Sequence, residues 1–233
     1  MRILLLHLLG CPGSSGVTVE TGGLDDIVTV LGVERQLRIN GGSGADLVKL
    51  KDNAISTNGG DLILIAEKIT QDLNASIDAA NVSLTNTGGD LKLNAAVTVT
   101  GDLAINVAGN VRQGFFSSIF VAGDTHVTAD VITLDDVSND FQGTINATAF
   151  NAEFVDVSSV ILGDIDVAGD FSVEALGGSI DDGVSGAVGD DINVGGVTSF
   201  SAVNAVVVDD ETNDFAAVVN VAGTDLSLRD VND

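Results

Sequence analysis

The stretch SNDFQGTINATAFNAEFVDV, residues 138–157, returns in altered form as TNDFAAVVNVAGTDLSLRDV, residues 212–231. Aligned without a gap at an offset of 74, residues 134–159 and 208–233 share eight of 26 positions: Asp135, Asp136, Asn139, Asp140, Phe141, Asn146, Asp156 and Val157. The likeness extends upstream. VAGDTHVTA from Val121 pairs with VGGVTSFSA from Val194, and GDLAINVAGNV from Gly101 resembles GDFSVEALGGSI from Gly169. One unit therefore covers about residues 101–168 and a second 169–233, the latter incomplete. A repeat this long that is neither helical nor rich in hairpin turns points to a stacked architecture.

A smaller element recurs inside and before these units: GGDLILIA at Gly59, GGDLKLNA at Gly88, GDLAINVA at Gly101, GDFSVEA at Gly169 and GTDLSLRD at Gly223. Glycine turns the chain, Asp is expected to bond the turn backbone, and the following residues alternate between an inner and an outer face. No 3.6-residue periodicity is sustained, and the long units contain no Asn-Gly hairpin turn. The expected fold is all-β, a right-handed parallel β-helix (β-solenoid). Roughly 22 residues per coil, stacked about 4.8 Å apart, give about ten coils and a rod near 50 Å long. Each unit is then about three coils, with Asn139 and Asn213 in corner amide ladders and Phe141 and Phe215 in the core. A tandem array of β-sandwiches is the competing architecture. It is disfavoured by the lack of Trp and Tyr, a single Pro, and a unit shorter than an immunoglobulin-like domain.

Composition narrows the function. The 233-residue chain is 45% apolar, mostly Val, Ile, Leu and Ala, enough for a real core. Nine Lys+Arg against 34 Asp+Glu give a formal charge of −25, which excludes nucleic acid and anionic membrane surfaces as partners. No Lys or Arg occurs from Gln113 to Leu228. Such acidity either solubilises an exported protein or collects divalent cations. The single Cys11 excludes an intramolecular disulfide and a Cys-rich zinc site. No segment approaches the apolar length of a membrane span.

Residues 1–16, MRILLLHLLGCPGSSG, read either as a short signal with a lipoprotein-like box at Cys11 or as a strand of a longer protein. Residues 17–58 form N-terminal coils, and 59–233 the solenoid repeats. An open final coil would favour end-to-end self-association.

The GGDLxLxA elements, VAGNV at Val107 and ALGGSI at Ala175 resemble repeats of filamentous-haemagglutinin-like adhesins, and the SNDFQGT unit resembles the β-strand repeats of giant exported bacterial proteins. The resemblance covers roughly residues 59–233. It implies a right-handed β-helix, bacterial export, a cell-surface or extracellular location, and an adhesive or structural role toward surface glycans or other surface proteins.

Candidate chemistry is sparse. GGSGADLVK from Gly41 fits the calcium nonapeptide G-G-x-G-x-D-x-U-x, resembling haemolysin-type calcium-binding turns, and TGGLDDIVTV aligns Asp26 with Asp46 twenty residues earlier. This points to Ca2+ on Asp25, Asp26, Gly42, Gly44 and Asp46, against the plainer reading of a metal-free Asp-Gly turn. Beyond this calcium no cofactor is expected. Asp135-Asp136, Asp181-Asp182, Asp190-Asp191 and Asp209-Asp210 suggest carboxylate pairs, but neighbours on a strand point to opposite faces. His126 is the only histidine outside the N-terminal run, and Ser199 or Phe200 replaces it in the second unit. No catalytic residue is assigned. The expected function is a non-enzymatic structural or adhesive repeat protein, the alternative a Ca2+-dependent polysaccharide-active β-helix enzyme or a carbohydrate-binding module.

Overall fold

The structure is a computed structural model that describes residues 2–8, 16–183 and 191–231. All regular structure among them is β, in short strands, with no helix. Each strand pairs in parallel with the strands one turn before and after it, so that Val82–Asn86 lies between Leu62–Ala66 and Leu103–Val107. Parallel neighbours need a crossover, and here the crossover is the rest of a turn rather than a helix.

Three sides make up each turn. The second side shows the register most plainly: Val17, Leu37, Leu62, Val82, Leu103, Thr125 and Ile145 sit one above another. The third side carries residues 27–30, then Leu47–Leu50, Lys68–Gln71, Leu91–Leu93, Val111–Gln113, Val131–Leu134, Asn151–Asp156, Phe171–Ala175, Thr198–Ala202 and Val219–Ala222. That makes about ten turns, as the sequence predicts. The first side follows each third-side strand, as Ile55–Ser56, Ile77–Ala79, Val97–Val99, Ile119–Val121 and Asp140–Phe141. From Val160 one eight-residue strand spans two sides. Its start carries Ile180 and Val206, and its end carries Ile192–Val194 and Asp214–Phe215.

Alternation puts one residue in two inside. Leu103, Ile105 and Val107 are buried while Ala104 and Asn106 face out. The stacked inner residues form one continuous aliphatic core from Val28 to Phe215. Its C-terminal half adds an aromatic spine. Phe141, Phe154, Phe171, Phe200 and Phe215 meet edge to face, with centroids 6.2, 6.5, 6.1 and 6.2 Å apart. Each such contact contributes about 0.5–1.5 kcal/mol beyond burial.

The Gly-Asp element works differently from the local turn expected of it. Its Asp reaches along the rod axis, not back into its own turn. Asp124 N–H donates to Asp102 Oδ1 at 3.0 Å, Asp102 N–H to Asn81 Oδ1 at 2.9 Å, and Thr144 N–H to Asp124 Oδ1 at 2.9 Å. The preceding glycine is needed for close approach. A Cβ on Gly101 would lie 2.4 Å from Asn81 Oδ1, and one on Gly123 2.3 Å from Asp102 Oδ1. Neither glycine has a positive φ. The same contact pairs Gly169 with Asn151 and Gly196 with Asp170 on another edge of the rod.

The two long units are equivalent only after a rotation. The corner DDVSN, residues 135–139, joins a third-side strand to the first-side strand Asp140–Phe141. Its counterpart DDETN, residues 209–213, joins Val206–Val208 to Asp214–Phe215, one side further round. Thr144–Ala149 likewise lies on the second side and its counterpart Val219–Ala222 on the third. From Val131 through Asn151 and from Ala152 through Phe171 to Thr198 the chain makes three turns, and one more side reaches Val206. A unit is therefore three turns and one side, which refines the expected figure of about three turns.

Local contacts survive that rotation. Asn139 is fully buried, accepts Ile119 N–H at 2.9 Å and donates to Leu134 O at 3.1 Å. Asn213 is equally buried and accepts Ile192 N–H at 3.1 Å. Each Asn carbonyl receives a backbone N–H from one turn on, Val157 and Val231, both at 2.7 Å. Asp156 accepts Phe141 N–H at 2.6 Å, and Asp230 accepts Phe215 N–H at 3.4 Å. Asn139 pairs with Gln113, and Asn213 with Asp182, so the two belong to separate corners.

Candidate functional site

The nonapeptide turn does stack on its upstream partner. Gly42 has φ +82° and a Cβ there would collide with Gly22 O at 2.0 Å, while one on Gly44, φ +133°, would meet Leu24 C at 2.7 Å. Ser43 N–H closes the stack on Gly22 O at 3.0 Å. Only glycine tolerates both the backbone angle and the contact.

The carboxylates gathered there are occupied along the axis. Asp25 Oδ1 accepts Ala45 N–H at 2.9 Å, Asp26 Oδ1 accepts Arg2 N–H at 2.8 Å, and Asp46 Oδ1 accepts Asp26 N–H at 2.9 Å. Glu67, which sequence reading missed, continues the column by accepting Asp46 N–H at 2.7 Å. Its spacing of 21 residues from Asp46 was the only available signal. The remaining oxygens, Oδ2 of Asp26 and Oδ2 of Asp46, are buried without a partner. Burial, reinforced by Glu67, Asp26 and Asp25, raises the Asp46 pKa above the usual carboxylate value. Among the described residues no group of three or more His, Cys, Asp or Glu side chains is arranged to hold a metal ion.

The aspartate pairs separate as strand geometry requires. Asp182 and Asp210 are buried while Asp135 is exposed. Asp136 Oδ1 accepts Ser138 N–H at 2.9 Å, Asp210 Oδ1 accepts Thr212 N–H at 3.1 Å, and Asp182 Oδ2 accepts Asp210 N–H at 3.0 Å. Burial raises the Asp181 pKa, although Gly183 N–H bonds its carboxylate. Asp190 and Cys11 lie outside the described residues. His126 is exposed on the second side between Ala104 and Asn146, and Ser199 stands on the third.

What the fold does present is long, open faces. Open grooves lie on the third side, one of about 790 Å³ lined by Arg112, Phe115, Phe116 and Val137, another of about 280 Å³ by Thr133, Glu153, Ser172 and Ser199. No helix among the described residues is long and apolar enough to cross a membrane.

No curated protein and no solved structure matches the sequence. A family described as repeats of unknown function (DUF5649) matches residues 79–148 and 149–222 in two consecutive copies. Each copy occupies about the length that the structure turns into three turns and one side, and together they cover more than half of the chain. The rod is thus built from tandem units of a known kind, and the chain belongs to the DUF5649 family of repeats of unknown function.

Proposed function

We propose that this protein is a non-enzymatic structural and adhesive rod of the bacterial cell surface, presenting its sides to surface glycans or to other surface proteins. The observation that supports this reading is the use of its polar groups. The inward Asn and Asp side chains, such as Asn139, Asp156, Asp182 and Asn213, are spent on backbone N–H groups of adjacent turns, while outward positions form rows repeated from turn to turn. A surface of that kind binds by extension rather than by enclosure. An enzyme would need convergent carboxylates with a basic residue, and residues 113–228 offer no Lys or Arg. A reducing-end and unsaturated-product assay on neutral and acidic polysaccharides tests the point. Turnover by the purified chain would sink the adhesive reading, and binding on a glycan or surface-protein panel without turnover supports it.

Calcium is a second reading, favoured by the two partnerless oxygens of Asp26 and Asp46. With the carbonyls of Gly42 and Gly44 they would supply hard oxygen ligands suited to the ion, Asp25 lying on the exposed side of the same turn. Binding to the folded state alone must raise Tm. A Tm unchanged at millimolar Ca2+ rejects this site.

A further inference from the structure

Charge along the rod is lopsided. Residues 1–112 hold eight Lys+Arg and 12 Asp+Glu, residues 113–233 one and 22, so net −4 faces net −21. Four of these eight cations also share one side. Lys49, Lys68, Lys92 and Arg112 all point outward from the second, third, fourth and fifth strands of the third side. Among the described residues none of the four side chains makes an ion pair or a hydrogen bond. The seventh and eighth strands of the same side present Glu153 and Glu174, both exposed.

Between the cationic and acidic stretches stands an apolar knob. Phe115 and Phe116 are 90% and 96% exposed, and Val137, on the matching corner of the sixth turn, is 64% exposed. Phe116 has φ +64°, a left-handed angle that a bulky residue adopts only against steric resistance. The loop is held there from beneath: Ser117 is buried and its Oγ donates to Gly114 O at 2.8 Å, while Gln113 Nε2 bonds Ser117 O and, at 2.7 Å, Asn139 Oδ1. A fixed loop that exposes two phenyl rings and packs neither is arranged for a partner.

The geometry points to a second copy of this chain, packed antiparallel with third side against third side about a two-fold axis between the fifth and sixth turns. Register supplies the argument. Lys92, Arg112, Thr133 and Glu153 form one outward column across the fourth to seventh strands. A two-fold at the centre of that column places Lys92 opposite the other copy's Glu153, twice, and Phe115 and Phe116 against the other copy's Val137. Such an interface is self-complementary, as two-fold symmetry demands. The area suffices: a side about 50 Å long and about 15 Å wide offers about 750 Å², near the roughly 800 Å² per partner of a standard interface. The phenyl rings supply affinity and the charges fix orientation, since an exposed ion pair alone adds little.

Sedimentation velocity on the full chain tests this at low and high salt. The expected result is a dimer that weakens as salt rises. Lys92→Glu or Glu153→Lys alone should raise the dissociation constant about tenfold or more, the double swap should restore it, and Phe115→Ser with Phe116→Ser should weaken the dimer while circular dichroism stays unchanged. A monomer at every concentration, a dimer indifferent to both single swaps, or a swap that fails to restore pairing overturns the proposal. So does a monomer whose Lys92 and Arg112 instead retain polygalacturonate, which would make the stripe a site for acidic glycan.

Discussion

At the scale of single residues, the glycines and aspartates of this chain act as a pair whose two members sit one turn apart. Asp102 fills the space that a side chain at position 123 would need, and in return it receives the N–H of Asp124. Gly123→Ala should therefore lower stability by about 1–3 kcal/mol, the usual cost of overpacking. Asp102→Ala should cost about 1 kcal/mol for the lost hydrogen bond. Combined, the two should cost less than their sum, because the clash with Asp102 Oδ1 is relieved while Gly101 C and O, each 2.7 Å away, still crowd the methyl; chemical denaturation of the four-member cycle measures it, and strict additivity would contradict the contact. Asp46 gives a pH effect. Its raised pKa means that the folded state holds the proton more tightly than the unfolded chain, so its contribution to stability is present below the usual value of 3.8 and lost as pH rises through the folded value. Asp46→Asn should raise Tm at neutral pH and flatten the gain seen on acidification, read by thermal melts across that range. Thr125 and Thr198, equivalent positions of the two units, each bury a hydroxyl without a partner, and nothing in the structure explains it.

Strands of two to eight residues are too short to be stable alone, so each element depends on its neighbours along the axis. The aromatic spine is where that dependence is strongest in the C-terminal half. Phe171 touches both Phe154 and Phe200 and is 1% exposed. Phe171→Ala should cost about 3–5 kcal/mol. Hydrogen exchange should show protection lost first in 151–175 and 198–202, the strands that carry the three rings. Loss confined to the aliphatic N-terminal turns would show that the spine does not couple them. Asn139 and Asn213 do the equivalent polar work, tying corner to strand across one turn.

On the scale of the whole molecule, one unit advances three turns and one side. A third unit in series should therefore place its DDxxNDF corner between the second and third sides, and a fourth should return it to the position of the first. The structure of a three-unit chain decides this; a third corner stacked directly above residues 209–213 would refute the rotation. The arrangement distributes the same motif over all three sides of a long rod, so that a chain of repeats need not present one sticky stripe.

The sequence by itself determined the class of fold, because alternation, glycine-aspartate punctuation and a long repeat are properties of the chain alone. It also showed that Asn139 and Phe141 turn inward, since an invariant polar-apolar pair flanking a strand start has few other uses. It could not show what lies above what. Turn lengths vary, from 17 residues between Thr144 and Ile161 to 27 between Ile165 and Ile192, and the phase between units accumulates over every turn. Only stacking decided that Asp102 meets Gly123, that Glu67 joins the Asp26 and Asp46 column, and that Lys92 shares a column with Glu153. Those contacts depend on summed register, a quantity no short stretch of sequence contains.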